Sequence, residues 1–286
     1  MIKSKNEKYG DYIVAFICFL FIIICLLPLL NVVARSLSSP TALIRNEVGL
    51  WPKGLNLEAY KTVLRDAKYT WSLGWTALLT LICTIVSMIM TTICAYPLTY
   101  DHLKGRRIIN VFIIFTMYFS AGTIPNYLLY KDLKLLNHPL VLIIPSCLSV
   151  FNMIIMRSFL QNIPESIRES AEIDGAGPIR ILVSIYLPMS TSVIATLSLF
   201  YAVGRWNGFS DALMYMNNTK YYPIQLLLYN IINSVQNIDT SVEVIPGVSE
   251  TLKSATVIFA TVPILLIYPW LQRYFISGVT LGAEKG

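Results

Sequence analysis

Six apolar stretches without one charged side chain constrain this sequence more than any other feature; they cover residues 12–34, 69–100, 108–130, 135–156, 185–204 and 254–272. Each exceeds the ~18 residues that suffice to cross a bilayer as a helix. Backbone N–H and C=O groups in lipid must be satisfied within the chain, and continuous apolar runs of this length satisfy them as helices. The expected fold is an all-α membrane protein with six transmembrane helices, the whole of 1–286 forming a single transmembrane domain. Composition agrees, at 55% hydrophobic and 13% charged residues, where a soluble domain carries about 25% charge. A soluble enzyme, a disordered chain and a secreted disulfide scaffold are excluded. The first stretch follows Lys3, Lys5 and Lys8 as a signal peptide would. It is too long for an apolar region of ~7–15 residues and lacks a small-x-small cleavage pattern before Arg35, so it reads as a retained helix.

Six crossings that start inside leave both termini in the cytoplasm. Residues 1–11, 101–107, 157–184 and 273–286 are then internal, and 35–68, 131–134 and 205–253 external. Basic residues number eleven in the 60 internal positions and eleven in the 87 external ones. The short loop His102-Leu-Lys-Gly-Arg-Arg107 decides the orientation, because charge bias acts most strongly in short loops at helix ends. Cys18, Cys25, Cys83, Cys94 and Cys147 all fall inside apolar stretches and are read as small apolar side chains without disulfides. His102 and His138 stand in separate loops, so no metal site is expected. The net charge of +6 is spread over loops on both sides, which fits membrane lipid and not nucleic acid as the acidic neighbour. A bias toward Ile, Lys and Asn points to a Gram-positive host.

Outside the membrane, Asn56 followed by Leu57, Tyr60 and Leu64 reads as a capped amphipathic helix on the surface. The polar 205–253 segment, with its Pro246-Gly247 turn, is expected to project outward. The apolar stretches hold no Asp or Glu, and Arg205 is the sole charge near membrane depth. A proton pump or sodium symporter is therefore disfavoured. No G-x-x-x-x-G-K-[ST] run is present, so ATP energy has to come from another subunit. Hydroxyl-rich ligands need hydrogen-bond groups and flat stacking surfaces; Asn152, Tyr201, Trp206 and Asn207 offer these near the fourth and fifth stretches and are candidates for a translocation path.

The internal segment 161–188, between helices 4 and 5, is unlike the other loops. Pro164 and Glu165 suit a helix start, Gly175 suits a left-handed stop, Gly177-Pro178 restarts the chain, and Pro188 marks the fifth stretch. Glu165, Glu169 and Glu172 fall on one helix face.

Within it, Glu169-Ser-Ala-Glu-Ile-Asp-Gly-Ala176 followed by Ile185-Tyr-Leu-Pro188 resembles the EAA loop of ABC importer permeases, E-A-A-x-x-D-G-A with a later I-x-L-P. Ser170 replaces the first alanine by another small residue. Leu50-Trp-Pro-Lys-Gly-Leu-Asn-Leu-Glu-Ala-Tyr60, Thr116-Met-Tyr-Phe-Ser-Ala-Gly-Thr-Ile-Pro125, Phe151-Asn-Met-Ile-Ile-Met-Arg157 and Arg205-Trp-Asn207 extend the likeness to carbohydrate-uptake permeases of the maltose-transporter class, in the LplC/YtcP-like subgroup. The resemblance implies an ATP-driven importer for an oligosaccharide or polysaccharide fragment, and a polyol or modified sugar is the alternative solute. A membrane enzyme or scaffold is the reading from another class. The implied partners are a homologous second permease, two copies of an ABC ATPase that bind ATP and Mg, and an extracellular sugar-binding lipoprotein, with no cofactor in this chain. The same resemblance implies ATPase-coupling positions at Glu165, Arg168, Glu169, Ser170, Ala171, Asp174, Gly175 and Ala176, with Glu169 meeting an arginine. It also implies an ATPase-contacting tail at Glu284, Lys285 and Gly286, and a binding-protein loop at Pro246 and Gly247.

Overall fold

A computed structural model describes residues 5–236 and 250–266, and all regular structure among them is helical. Pro246, Gly247, Glu284, Lys285 and Gly286 lie outside the described residues. The chain divides into two compact units, residues 1–71 with 227–262 and residues 72–226 with 263–286.

In the first unit, α1 (Lys5–Ser36) is a long apolar helix whose side chains from Gly10 on are largely exposed within this chain, the state of a helix whose surroundings are apolar. Ser39 Oγ accepts from the Ala42 N–H at 3.3 Å and caps α2 (Pro40–Ile44). The helix expected after Asn56 is α3 (Glu58–Arg65), and Asn56 Oδ1 accepts from the Glu58 N–H at 2.8 Å. Its inner face differs from the expectation. Val63 is fully buried and Tyr60 shares a 2.8 Å hydroxyl bond with Ser36, whereas Leu57 and Leu64 are exposed. Arg35 donates to Glu250 at 2.7 Å, tying the end of α1 to the helix at 250–266.

The second unit is organised on α4 (Ala67–Ala95), which continues through a 3₁₀ turn, Pro97–Thr99. Two buried clusters occupy different levels of it. One gathers Leu79 and Cys83 with Val141, Leu142, Ala212, Met216 and Leu226. The other gathers Ala95, Tyr96 and Leu98 with Met153, Met156, Leu160, Ala171, Ile181, Tyr186, Val193 and Leu197. From Leu79 to Ala95 a helix rises about 24 Å, so the first cluster packs on the middle of α4 and the second on its C-terminal end. The loops sort with them: 131–138 and 208–223 join the first, and 100–103 and 163–186 the second.

The third, fourth and fifth stretches are not straight spans, which corrects the expectation of continuous helices there. The third is α5 (Arg106–Tyr118) and α6 (Thr123–Asp132), bent by 111°. Gly122 has φ +91° at the break, a conformation only glycine adopts without strain, and Pro125 falls in the first turn of α6, where no N–H is required. In the fourth, Pro139 and Pro145 open 3₁₀ turns, Pro139–Leu142 and Ile144–Ser146, before α7 (Val150–Gln161), with a 46° bend. After α8 (Glu165–Ile173), the fifth begins as α9 (Pro178–Ile181), a π-helical turn Leu182–Tyr186 and α10 (Leu187–Met189), then turns 84° into α11 (Thr191–Asn207). Pro188 removes a backbone donor beside that bend. Among the described residues two helices are long and apolar enough to cross a membrane alone, and counting each bent pair as one span makes five. The sixth expected span is helical from 250 to 266, and 267–272 lies outside the described residues.

Among the described residues, 206–236 is helical and packed, which corrects the expectation of a polar loop there, and 237–249 lies outside the described residues. The described part folds back as α12 (Ser210–Tyr215), a 3₁₀ turn Thr219–Tyr221 and α13 (Ile224–Gln236), with Ala212, Met216, Ile224 and Leu226 buried. Ser72 Oγ donates to Tyr222 O at 2.6 Å, Trp75 Nε1 to Tyr221 O at 2.9 Å, and Thr76 Oγ1 accepts from the Ile224 N–H at 2.8 Å. Asn137 Oδ1 accepts from the N–H groups of Asn217 and Asn218. Asn217 and Asn218 keep exposed side chains, while Asn218 Oδ1 accepts from the Lys220 N–H at 3.0 Å, so the polar turn is held by its backbone. Thr76→Val is expected to strand the buried Ile224 N–H and lower stability by about 1–3 kcal/mol, read as a fall in thermal midpoint in detergent, while Thr76→Ser keeps the midpoint.

Candidate functional site

Two sites emerge within the second unit, a cavity and a tethered surface helix. The cavity has a volume of about 790 Å³ and is lined from α4 by Cys83 and Ser87, from the bent connection by Ser146 and Ser149, from α7 by Phe151 and Asn152, and from α11 by residues that include Tyr201 and Arg205. Ser146 and Ser149 reach it from the bent part of the fourth stretch, and Ser87 from α4. Ser149 Oγ accepts from the Asn152 N–H at 3.4 Å and starts α7, which brings Asn152 to the wall. Tyr201 Oη is fixed by the Thr91 hydroxyl at 2.6 Å and by the Ser149 N–H at 3.0 Å. The lining combines hydroxyls, an amide and aromatic faces, suited to a hydroxyl-rich ligand.

Of the four path candidates, Asn152 and Tyr201 line this cavity. Trp206 is buried and outside the lining, and Asn207 is exposed with its amide donating to Val203 O at 3.0 Å. Sequence reasoning overlooked Ser87, Ser146 and Ser149; the signal available was serine inside a charge-free stretch. It also overlooked Asp211. The Arg205 side chain is 7% exposed and forks onto Asp211, at 2.5 Å and 3.0 Å, while donating to Leu142 O at 3.3 Å and Gly208 O at 3.1 Å. A guanidinium with so little water requires such a partner. Asp211 lies six positions on, just past the Gly208 turn, and that is where a partner was to be sought.

The surface helix is α8. Pro164 precedes its first residue, Glu165 stands in the first turn, and Gly175 ends it at φ +79°. The Ala176 N–H reaches back to Ala171 O at 2.9 Å, the closure of a left-handed helix cap. Arg168 and Ala171 are buried against the unit, Ala176 is half-buried, and Glu165, Glu169, Ser170, Asp174 and Gly175 are exposed. The three glutamates do not form one free stripe. Arg168 pairs with Glu165 and, at 3.6 Å, with Glu172, while Glu169 has no ion pair among the described residues. Burial opposes the Arg168 charge, and Glu165 with Tyr186, Tyr100 and Glu172 outweighs it, so the guanidinium holds its proton more firmly than a free arginine. Ile173, one turn beyond Glu169, is 86% exposed.

A family model described as the inner membrane component of binding-protein-dependent transport systems matches residues 70–281, covering most of α4, the cavity and α8. The chain belongs to this family. It is 37% identical over 286 residues, 99% of this chain and 100% of the relative, to the polygalacturonan/rhamnogalacturonan transport system permease protein YtcP of Bacillus subtilis (strain 168). It is 39% identical over 267 residues, 92% of this chain and 90% of the relative, to Protein LplC of the same organism. Among solved structures it is similar, at TM-score 0.87 and 29% identity over 96% of this chain and 99% of the other, to a chain of a bacterial ABC transporter involved in the import of the acidic polysaccharide alginate. The chain is thus an ABC permease subunit, a membrane transport component and not itself an enzyme. In such a component the Arg205–Asp211 pair is structural support for the cavity wall. Asp211→Ala is expected to leave the buried guanidinium unpaired and cost about 2–5 kcal/mol, seen as a large drop in thermal midpoint in detergent, and Arg205→Met with Asp211→Leu is expected to recover most of it.

Proposed function

We propose that this chain is one permease half of an ATP-driven importer that carries an oligosaccharide or polysaccharide fragment across the cytoplasmic membrane. It works with a homologous second permease, two ATPase subunits that bind ATP and Mg, and an extracellular sugar-binding lipoprotein. In this reading the chain crosses the membrane six times with both termini in the cytoplasm, the bent pairs counting as spans and the helix from 250 supplying the sixth. Residues 161–188 form the cytoplasmic coupling loop, and 35–68 with parts of 205–253 face outward. The Bacillus relatives support a Gram-positive host.

The single observation that carries the coupling role is the outer face of α8. Glu169, Ser170, Ile173 and Asp174 are exposed on a nine-residue helix held by its opposite face, and an isoleucine 86% exposed beside an uncompensated carboxylate is the composition of a small docking surface. Seating α8 in a cleft of the ATPase, with Glu169 against an arginine there, makes ATP-driven closure of the ATPase pair a displacement of the permease. Only contacts that differ between two states transmit work, so the helix stays seated while the bundle moves between inward-open and outward-open forms. Glu169→Lys is expected to insert and fold normally, to lose the co-purifying ATPase and to abolish uptake in proteoliposomes; retention of the ATPase with normal uptake would overturn the docking role.

The carbohydrate reading is supported by the hydroxyl and aromatic lining of the cavity and by the relatives' printed substrates, galacturonans and alginate. Oligosaccharides of galacturonan, rhamnogalacturonan, alginate and maltodextrin, presented with the cognate binding protein to the reconstituted importer, are expected to differ in their stimulation of ATP hydrolysis. A uronate-containing chain is expected to stimulate most strongly, and a flat response across the panel alongside stimulation by a polyol would overturn the polysaccharide assignment.

A further inference from the structure

Under α8 lies one buried cation that its own chain serves completely. The Arg168 side chain is 8% exposed, forks toward Glu165 and Glu172, and holds its guanidinium carbon 4.5 Å from the centre of the Tyr100 ring. Tyr100 closes the 3₁₀ turn at the end of α4, so this contact joins the surface helix to the longest helix of the unit. The tyrosine is itself anchored. Its hydroxyl lies 2.6 Å from that of Tyr96, which donates to Pro178 O at 3.2 Å, and the Tyr96 ring meets Tyr186 edge-on at 5.4 Å. α8 and the start of the fifth stretch are therefore both referred to Tyr96 and Tyr100, at the 3₁₀ turn that follows α4.

The backbone alone does not make this connection rigid. A nine-residue helix is far below the ~12–15 residues at which an isolated helix is even marginal in water. It is followed by Gly175 at φ +79° and then Gly177, positions where the chain turns with little resistance. Force applied to the outer face of such a helix would rotate it about its glycines instead of moving the bundle. A side-chain tie on the inner face removes that freedom. Arginine suits the duty and lysine does not, because a planar guanidinium stacks on a ring while its edge meets two carboxylates.

We propose that Arg168 is a positioning residue for coupling: it fastens α8 to the end of α4 through Tyr100, so that a displacement of α8 is delivered to α4 as a rigid movement. By engaging Glu165 and Glu172 within the chain it also leaves Glu169 and Asp174 as the acidic groups offered to a partner. The inference rests on the reading of α8 as the ATPase-docking helix, and adds that its inner face, made by Arg168, sets how much motion is passed on.

The test uses the complete importer in proteoliposomes, with galacturonan oligosaccharides as the transported probe. Arg168→Ala is expected to retain the ATPase through purification and to hydrolyse ATP within about twofold of the unaltered complex, while sugar moved per ATP falls about tenfold. Arg168→Lys is expected to recover part of that ratio. Tyr100→Leu is expected to lower it as well, and the double variant to be no worse than Arg168→Ala, as for two residues acting through one contact. A second readout needs no sugar: nitroxides at Ser170 and His102, with the five native cysteines replaced by alanine, report the separation of α8 from the end of α4. The unaltered contact is expected to give the same distance with and without ATP and Mg, and Arg168→Ala a distance that broadens or shifts when they are added. An unchanged sugar-to-ATP ratio with an unchanged distance would overturn the proposal, as would loss of the ATPase from the Arg168→Ala complex, which would make Arg168 part of the docking face. Normal uptake in Glu169→Lys removes the underlying docking role, whereas a dead Glu169→Lys beside a fully coupled Arg168→Ala removes this inference alone.

Discussion

A buried guanidinium needs partners close at hand, and the described residues of the second unit contain two of them, one beside the middle of α4 and one beyond its C-terminal end. Arg205 is answered by Asp211 and by the carbonyls of Leu142 and Gly208; Arg168 is answered by Glu165, Glu172 and the face of Tyr100. Because water is nearly absent at both, each arginine fixes the relative position of every element that supplies a partner. Arg205 thereby draws α11, α12 and the 3₁₀ turn at Pro139–Leu142 together around the first buried cluster. Arg168 draws α8 to the end of α4 around the second. The apolar residues supply most of the burial, but dispersion between Leu, Ile and Met side chains tolerates sliding, whereas a forked, directional pair does not.

Beside the Arg205 site, the irregular backbone of the fourth stretch lines the cavity. In an apolar environment unpaired backbone groups are costly, so non-helical segments persist only where protein or a polar cavity satisfies them. The connection from Pro139 to Ser149 meets that condition closely. Leu142 O accepts from Arg205, Ser146 Oγ and Cys83 Sγ, Ser146 O accepts from Ser87, and the Ser149 N–H donates to Tyr201. Several residues that repair the broken helix, Ser87, Ser146, Ser149 and Tyr201, also line the wall. Polarity in the cavity and irregularity in the fourth stretch are one feature, since neither is affordable without the other.

How much of this was legible in the sequence depended on whether the deciding signal was local. The apolar runs of α1 and α4 carried their own evidence, as did α8, whose Pro164, Glu165 and Gly175 act on their immediate neighbours. The bends were marked, by Gly122, by Pro139 and Pro145 and by Pro188, but hydropathy over a window of span length averages a 111° break into an unbroken run. The segment after Arg205 misled for a different reason. Asn217 and Asn218 look solvated by composition and are exposed, but their backbone N–H groups are held by Asn137 Oδ1, 80 positions before Asn217, beside the buried Ala212 and Met216. The cavity residues Asn152 and Tyr201 were found because they are polar where apolar residues are the rule. Trp206 and Asn207 carry the same signal but lie outside the lining, because it is the face of α11 with Tyr201 and Arg205 that meets the cavity.

The roles of the three α8 glutamates show where periodicity stops informing. Helical spacing puts Glu165, Glu169 and Glu172 on one side, and a motif reading weights them by position. What separates them is the arginine at position 168, one residue before Glu169 in sequence but turned inward by the docking of Ala171 against the bundle. Arg168 is within reach of residues three before and four after it and not of its immediate neighbour, so Glu165 and Glu172 are engaged within the chain and Glu169 remains outward. A charge that looks like one more member of a solvated face thus assigns different duties to carboxylates of identical chemistry, and it does so by geometry that follows from the helix itself.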